Sequence, residues 1–126
     1  MSMRERRHGY RIPLKMFLNE YVADHPHRCL TVNLSETGLY VHKLIQPLRR
    51  TTNIVGLELA LPGLGETIWA RGEVLYDTFD DYFHGSGIRI TGIPRLYAGL
   101  LHDYICEKRR DRLERLMERV RLNRRP

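Results

Sequence analysis

The sequence predicts a mainly β fold, a six-stranded antiparallel barrel of split or Greek-key-like topology with a long C-terminal α-helix. Between residues 12 and 91, six short segments rich in Leu, Val, Ile, Thr and Tyr alternate with turn-forming residues. After Pro94 the apolar spacing changes from two residues to three and four, which is typical of a helix. Antiparallel strands followed by a single helix favour a small barrel that the helix closes or plugs.

The predicted strands follow one another at close spacing along the chain. They span residues 12–22, 28–33, 38–42, 54–61, 67–76 and 87–91. Residues 23–27 (Ala-Asp-His-Pro-His) predict a turn, and the polar residues 77–86 predict a long loop. Every connection except residues 34–37 contains Pro, Gly, Asp or Asn, the residues that favour turns, and residues 34–37 contain Ser35, which also favours them.

The last part of the chain predicts one long helix. Its apolar positions recur at helical spacing and then resume after a charged stretch: Leu96, Tyr97, Leu100, Leu101, Tyr104, Ile105, then Leu113, Leu116, Met117 and Val120. We therefore expect an arginine-bearing arm at 1–11, a barrel at 12–93 and a helix at 94–126. The second apolar group, if it projects beyond the barrel, would leave a strip that a homodimer covers; simple packing is the alternative.

The net charge of +6 is concentrated at the two ends of the chain. Residues 1–11 carry four arginines and one glutamate, and residues 107–126 carry nine basic and four acidic residues, so the remainder has a net charge of −2. Two basic ends on a mildly acidic body favour an anionic ligand or partner, in particular one with phosphate groups. A solvated helix face is the alternative for the second cluster.

Several classes of protein are disfavoured by what the sequence contains. The apolar stretches are broken by charge or proline, which argues against a membrane span, and two distant cysteines argue for a reducing cytoplasm. His25, His27 and Cys29 alternate but have no fourth zinc ligand at the usual spacing. Asp77, with the nearby Asp80 and Asp81, has no base partner, and no nucleotide-hydrolysing motif occurs. We expect neither an enzyme nor a metal site or cofactor.

Two short polar motifs in the first third of the chain carry the functional prediction. Arg7 and Arg11 form Arg-x-x-x-Arg just before the first strand, and Asn33, Ser35 and Gly38 form Asn-x-Ser-x-x-Gly after the second. In order, separation and surroundings this pair resembles the signature of the PilZ family of cyclic di-GMP receptors. The resemblance covers most of the chain and implies a barrel with a terminal helix that binds this second messenger.

The chemistry of these residues suits such a ligand. A guanidinium fork binds phosphate oxygens or the O6 and N7 acceptors of guanine through two parallel hydrogen bonds, as Arg7 and Arg11 would. If strand-like, Asn33 and Ser35 point to one face and bond a guanine edge and a phosphate oxygen. Gly38 would let the backbone approach the ligand closely, and the arm would become ordered on binding.

The resemblance also implies two finer features. Arg6 directly precedes the first motif arginine, where a basic residue is similar to those that accept an intercalated pair of cyclic di-GMP molecules. Tyr76 falls late in the penultimate strand, where the family has an aromatic residue; it would stack on a base or simply pack on the strand. Asn33 replaces the more frequent aspartate, which weakens its acceptor capacity, and Ile90 replaces a frequent Phe.

Two other functions stay open. One is a PilZ-like adaptor that signals to an unknown downstream protein without binding the nucleotide, and which would be insensitive to Arg7→Ala. The other is non-specific nucleic-acid binding through the basic ends, against which the few aromatic residues near the arginines argue.

Overall fold

Six antiparallel strands and one helix form the fold in the computed structural model, which describes residues 10–43, 52–79 and 84–123. Their bounds are β1 Ile12–Val22, β2 His25–Leu34, β3 Gly38–Lys43, β4 Ile54–Ala60, β5 Thr67–Phe79, β6 His84–Gly92 and α1 Arg95–Asn123. The predicted fold class is confirmed, and β1 has the predicted bounds.

The six strands close into a barrel in the order β1-β2-β3-β6-β5-β4. Each half of the chain makes a three-stranded meander, and the halves are joined by pairing of β3 with β6 and of β1 with β4. The last seam is short, running from Asn19 opposite Glu58 to Tyr21 opposite Gly56. Closure removes the free sheet edges that an open sheet would leave.

The core lies inside the barrel because the strands alternate between inward apolar and outward polar residues. Leu18, Val41, Leu57 and Ile68, from four different strands, are almost completely buried. The first half of α1 covers one end of this core with Leu101, Tyr104 and Ile105. At roughly 1.5–3 kcal/mol for each large apolar side chain, burial of this kind dominates the stability of the fold.

An ion pair between β3 and β1 lies within the barrel. Lys43, at the end of β3, donates to the carboxylate of Glu20 on β1, and both side chains are completely buried. Cys29 lies on β2, opposite Lys43 in the register. Burial, aided by the charge of Glu20, raises the pKa of the Cys29 thiol to about 12. Burying two charges is costly, so removal of either partner alone would leave an unpaired buried charge and destabilise the fold.

The turn between β1 and β2 is shorter than predicted. Only Ala23 and Asp24 separate the strands, and both have positive φ, 49° and 65°, as in the two-residue hairpin turns that match strand twist. β2 therefore starts at His25, and Pro26 pairs with Tyr21. The prediction of a turn at 23–27 is too long because Pro26 lies near the strand start, where proline is tolerated.

The prediction of a loop at residues 77–86 is wrong at both of its bounds. β5 continues to Phe79 and β6 begins at His84, so only residues 80–83 separate them, and those lie outside the described part of the chain. Asp77 accepts a hydrogen bond from Ser86 at 2.7 Å and lies 3.0 Å from Nε2 of His84. These cross-strand bonds give the polar side chains partners and let them occupy strand positions.

The helix runs 29 residues to Asn123, as the apolar spacing indicates. Its second half leaves the barrel: Leu113, Leu116, Met117 and Val120 are each about half exposed or more. Within the described residues, no helix is long and apolar enough to cross a membrane.

Candidate ligand-binding site

Arg11 and Asn33 meet at the start of β1. Arg11 is exposed and donates from Nη1 to Oδ1 of Asn33 over 2.8 Å, which links the two sequence motifs across 22 residues. The bond fixes the guanidinium at the rim of the barrel, with the remaining N–H groups of the fork available to an anion. Arg6 and Arg7, the other predicted arginines, lie outside the described residues.

Ser35 shapes the loop between β2 and β3. It is 1% exposed, and its Oγ accepts from the backbone N–H groups of Thr37 and Gly38 at 3.2 and 3.1 Å and donates to the carbonyl of Gly38 at 3.0 Å. β2 ends at Leu34, so the strand alternation expected to bring Ser35 and Asn33 to one face does not extend to Ser35. The hydroxyl thus holds the turn, and its contact with a ligand stays a prediction.

Gly38 allows β3 to approach β6. A Cβ at this position would lie 2.6 Å from the carbonyl oxygen of Ile88, a backbone atom that cannot swing aside. The glycine of the motif is therefore required by strand packing at the rim of the site, whereas its closeness to a ligand stays a prediction.

Tyr76 lies across the outer surface of β6. It is opposite Gly87, and a Cβ on Gly87 would overlap the tyrosine ring, 2.7 Å from its hydroxyl oxygen. The ring is 51% exposed and stacks on Tyr40 with 6.3 Å between centroids. The absence of a side chain at Gly87 thus lets an aromatic face lie flat beside the barrel wall, available for stacking with a base.

A pocket of about 320 Å³ gathers several of these groups. It is lined by three predicted residues and five others: Arg11, Gly38, Tyr76, and Thr37, Leu75, Gly87, Ile88 and Arg89. The sequence reasoning missed Arg89, which is exposed and bonded to Glu73 at 3.3 Å, and Gly87. Gly87 and Arg89 lie two residues apart on β6 and therefore face the same side of the strand. In the sequence, this spacing of an arginine after a glycine was the feature that could have indicated Arg89 as a site residue.

A second arginine changes the electrostatics of the pocket. Arg11 and Arg89 both line it, and Glu73, the partner of Arg89, is not among the lining residues. Two guanidinium groups beside an exposed tyrosine ring can bind phosphate or a guanine edge while a base stacks on the ring.

The candidate metal ligands His25, His27 and Cys29 on β2 differ in exposure. His25 is exposed, whereas Cys29 is fully buried and its thiol donates weakly to the carbonyl of His27 at 3.6 Å. Among residues 10–43, 52–79 and 84–123, no group of three or more potential ligands is close enough to hold a metal ion.

Comparison with known families identifies the fold and its motifs. The model of the PilZ domain matches residues 5–106, which include both polar motifs, the barrel and the first part of the helix. The chain belongs to the PilZ domain family. No curated protein matches it significantly in sequence.

Solved structures that share this PilZ fold include MotI, YcgR and PlzA. The Bacillus subtilis inhibitor of motility MotI has a TM-score of 0.69 at 18% identity, covering 95% of this chain and 53% of MotI. The PilZ domain of Escherichia coli YcgR, solved with c-di-GMP, has 0.67 at 16%, covering 88% and 97%. Borreliella burgdorferi PlzA, also in complex with c-di-GMP, has 0.52 at 21%, covering 76% and 39%. This PilZ domain thus spans about half of MotI and less of PlzA.

Proposed function

We propose that this PilZ domain is a bacterial, cytoplasmic receptor that binds cyclic di-GMP and passes the signal to a downstream protein, without enzymatic activity. The observation that carries the proposal is the pocket of about 320 Å³, because it joins Arg11 of the first motif, Gly38 of the second and the exposed ring of Tyr76. The c-di-GMP complexes of the YcgR and PlzA structures, which share the fold, support the choice of ligand.

Each lining group has a role that follows from its chemistry. Arg11 and Arg89 bind phosphate oxygens or the O6 and N7 acceptors of guanine through their planar forks. Tyr76 stacks on a guanine ring, which is worth about 1–3 kcal/mol for a base on an aromatic side chain. Asn33 already accepts from Arg11, so it orients that guanidinium and shares its bonds with the incoming ligand.

The arginine arm completes the site. Arg7 supplies a further guanidinium, and Arg6 supports an intercalated pair of ligand molecules, for which two nucleotides per chain is the expected stoichiometry. When a ligand competes for Arg11, the bond between Arg11 and Asn33 weakens and the arm is drawn onto the barrel. The surface offered to the downstream protein changes with it.

Isothermal titration calorimetry with cyclic di-GMP tests this function. Arg11→Ala should weaken binding by at least about tenfold, since charge-assisted hydrogen bonds contribute about 1.5–3 kcal/mol. Arg71→Ala is the matched control: Arg71 is exposed on β5 but does not line the pocket, so its loss should change affinity by less than about twofold. A wild-type protein that releases no heat and shows no saturation would instead favour the adaptor function.

Self-association through α1 is part of the same proposal. The exposed strip of Leu113, Leu116, Met117 and Val120 has the helical spacing of a dimer seam. Light scattering should give a dimer mass for the wild type and a monomer mass for Leu116→Glu/Val120→Glu. A monomeric wild type at micromolar concentration would rule out this dimer.

A further inference from the structure

A second groove lies between β1 and the part of α1 that leaves the barrel. Its volume is about 310 Å³, and its lining has two distinct sides: Ile12, Pro13 and Leu14 from β1, and Lys108, Arg112 and Arg115 from α1. One wall is thus apolar and the other is cationic. It shares none of its lining residues with the pocket that contains Tyr76.

The cationic wall is the continuation of the helix side that packs on the barrel. Leu101 and Tyr104 are buried against the core, and Lys108, Arg112 and Arg115 follow at intervals of four, four and three residues. Residues at these intervals lie on one face of a helix. The face therefore changes from apolar to basic at the point where the helix leaves the core, and its charges point into the groove.

These charges have no carboxylate partner among the described residues. Within the described residues, none of the three groove cations forms an ion pair with a carboxylate. The Nζ atom of Lys108 lies 5.4 Å from the centre of the Tyr104 ring, and Arg112 donates to the hydroxyl of Tyr10 at 3.4 Å. Asp111, on the same helix, is not among the lining residues. The groove thus has an uncompensated positive potential beside its apolar wall.

We propose that this groove is the docking site for an acidic, partly apolar segment of a partner protein. Carboxylates of the segment neutralise Lys108, Arg112 and Arg115. An apolar side chain of the segment covers the exposed Pro13 and the half-buried Leu14. The proposal names the class of partner for the receptor function and rests on that function for its link to signalling.

Other occupants fit the groove less well. The first nine residues of this chain carry three arginines and one glutamate, so they repel the cationic wall. A nucleic-acid backbone would neutralise the cations but would leave the apolar wall uncovered. A peptide that combines carboxylates with one or two large apolar side chains matches both walls.

Tyr10 connects this groove to the proposed nucleotide site. It precedes Arg11, its ring lies 4.7 Å beneath the guanidinium of Arg109, and its hydroxyl accepts from Arg112. A ligand that moves Arg11 therefore acts through the adjacent Tyr10 on Arg112, a groove cation. Nucleotide binding and partner docking are coupled by this contact.

The test is fluorescence anisotropy with a labelled 16-residue peptide of glutamates with leucines at helical spacing, at physiological salt and without nucleotide. A companion peptide has serine in place of each leucine. The protein variants are Lys108→Gln/Arg115→Gln in the groove and, as a control with the same charge change, Arg110→Gln/Arg121→Gln. Residues 110 and 121 lie on the side of the helix opposite Lys108 and Arg115.

We expect the groove variant to bind the leucine peptide about tenfold more weakly and the control variant within about twofold of wild type. The serine peptide should also bind wild type about tenfold more weakly because it leaves the apolar wall of the groove uncovered. Equal losses in both variants, equal affinity for both peptides, or no saturable binding would overturn the proposal. Duplex DNA that displaces the leucine peptide and depends on Lys108 and Arg115 would assign the groove to nucleic acid instead.

Calorimetry on the groove variant separates this inference from the receptor function. Lys108→Gln/Arg115→Gln should bind cyclic di-GMP like wild type because neither residue lines the nucleotide pocket. A wild type that binds the peptide but no nucleotide contradicts only the receptor function. Nucleotide binding without peptide binding contradicts only the docking site.

Discussion

Replacing Gly87 with alanine should weaken cyclic di-GMP binding while leaving the barrel folded. The added Cβ would overlap the ring of Tyr76, which must then leave its position over β6. Since that ring is half exposed and lies at the far end of a flexible side chain, it can swing into solvent at a cost to stability of no more than about 1 kcal/mol.

The loss of affinity follows from the lost stacking. A base stacked on an aromatic side chain gains about 1–3 kcal/mol, so Gly87→Ala should raise the dissociation constant by about 5- to 150-fold. Tyr76→Ala should cause a loss of similar size. Because both changes remove the same contact, the double variant should bind no more weakly than Tyr76→Ala alone.

Calorimetric titrations of the four proteins measure this cycle, with urea unfolding as the check on stability. Gly99→Ala is the matched control: among the described residues nothing lies within 4 Å of a Cβ there, so binding should stay at the wild-type level. Unchanged affinity in folded Gly87→Ala, or losses that add in the double variant, would refute the stacking role of Tyr76.

Three further changes test the packing that supports the site. Gly38→Ala should lower the free energy of unfolding by about 2–4 kcal/mol in urea titrations, because its Cβ would meet a backbone oxygen at 2.6 Å; wild-type stability would contradict this. Lys43→Met should cost about 3–5 kcal/mol by stranding the carboxylate of Glu20, and Glu20→Leu/Lys43→Met should recover most of it; equal losses would argue against a buried pair. At pH 8, exposed Cys106 should react with a thiol reagent at once, whereas buried Cys29, with its pKa raised to about 12, should react only on unfolding; mass spectrometry showing two rapid additions would contradict this burial.

The fold could be predicted because local pattern and global packing agree along most of the chain. β1 alternates buried and exposed residues almost without exception, and the helical spacing after Pro94 is clear. The extensions of β5 and β6 were not predictable from local preference. By local preference Asp77 and Ser86 favour loops, whereas in the structure they pair across β5 and β6 and are joined by a hydrogen bond.

The site was predicted less completely. Arg11 of the first motif is hydrogen-bonded to Asn33 of the second. The sequence could not show that the hydroxyl of Ser35 forms its hydrogen bonds within its own loop. Arg89 was missed because its part in the pocket depends on the pairing of β6 with β5. The sequence shows the spacing of Gly87 and Arg89, but the register of the barrel is needed to place these residues beside Tyr76.

The most direct test of the central claim is an amide NMR titration of the wild type with cyclic di-GMP. The ligand should shift the amide signals of Gly38, Gly87 and Arg89 at the pocket rim and leave that of Gly56, on the seam between β1 and β4, unchanged. Shifts confined to α1 and the β1–β4 seam, or no shifts at saturating nucleotide, would contradict a receptor site at this pocket.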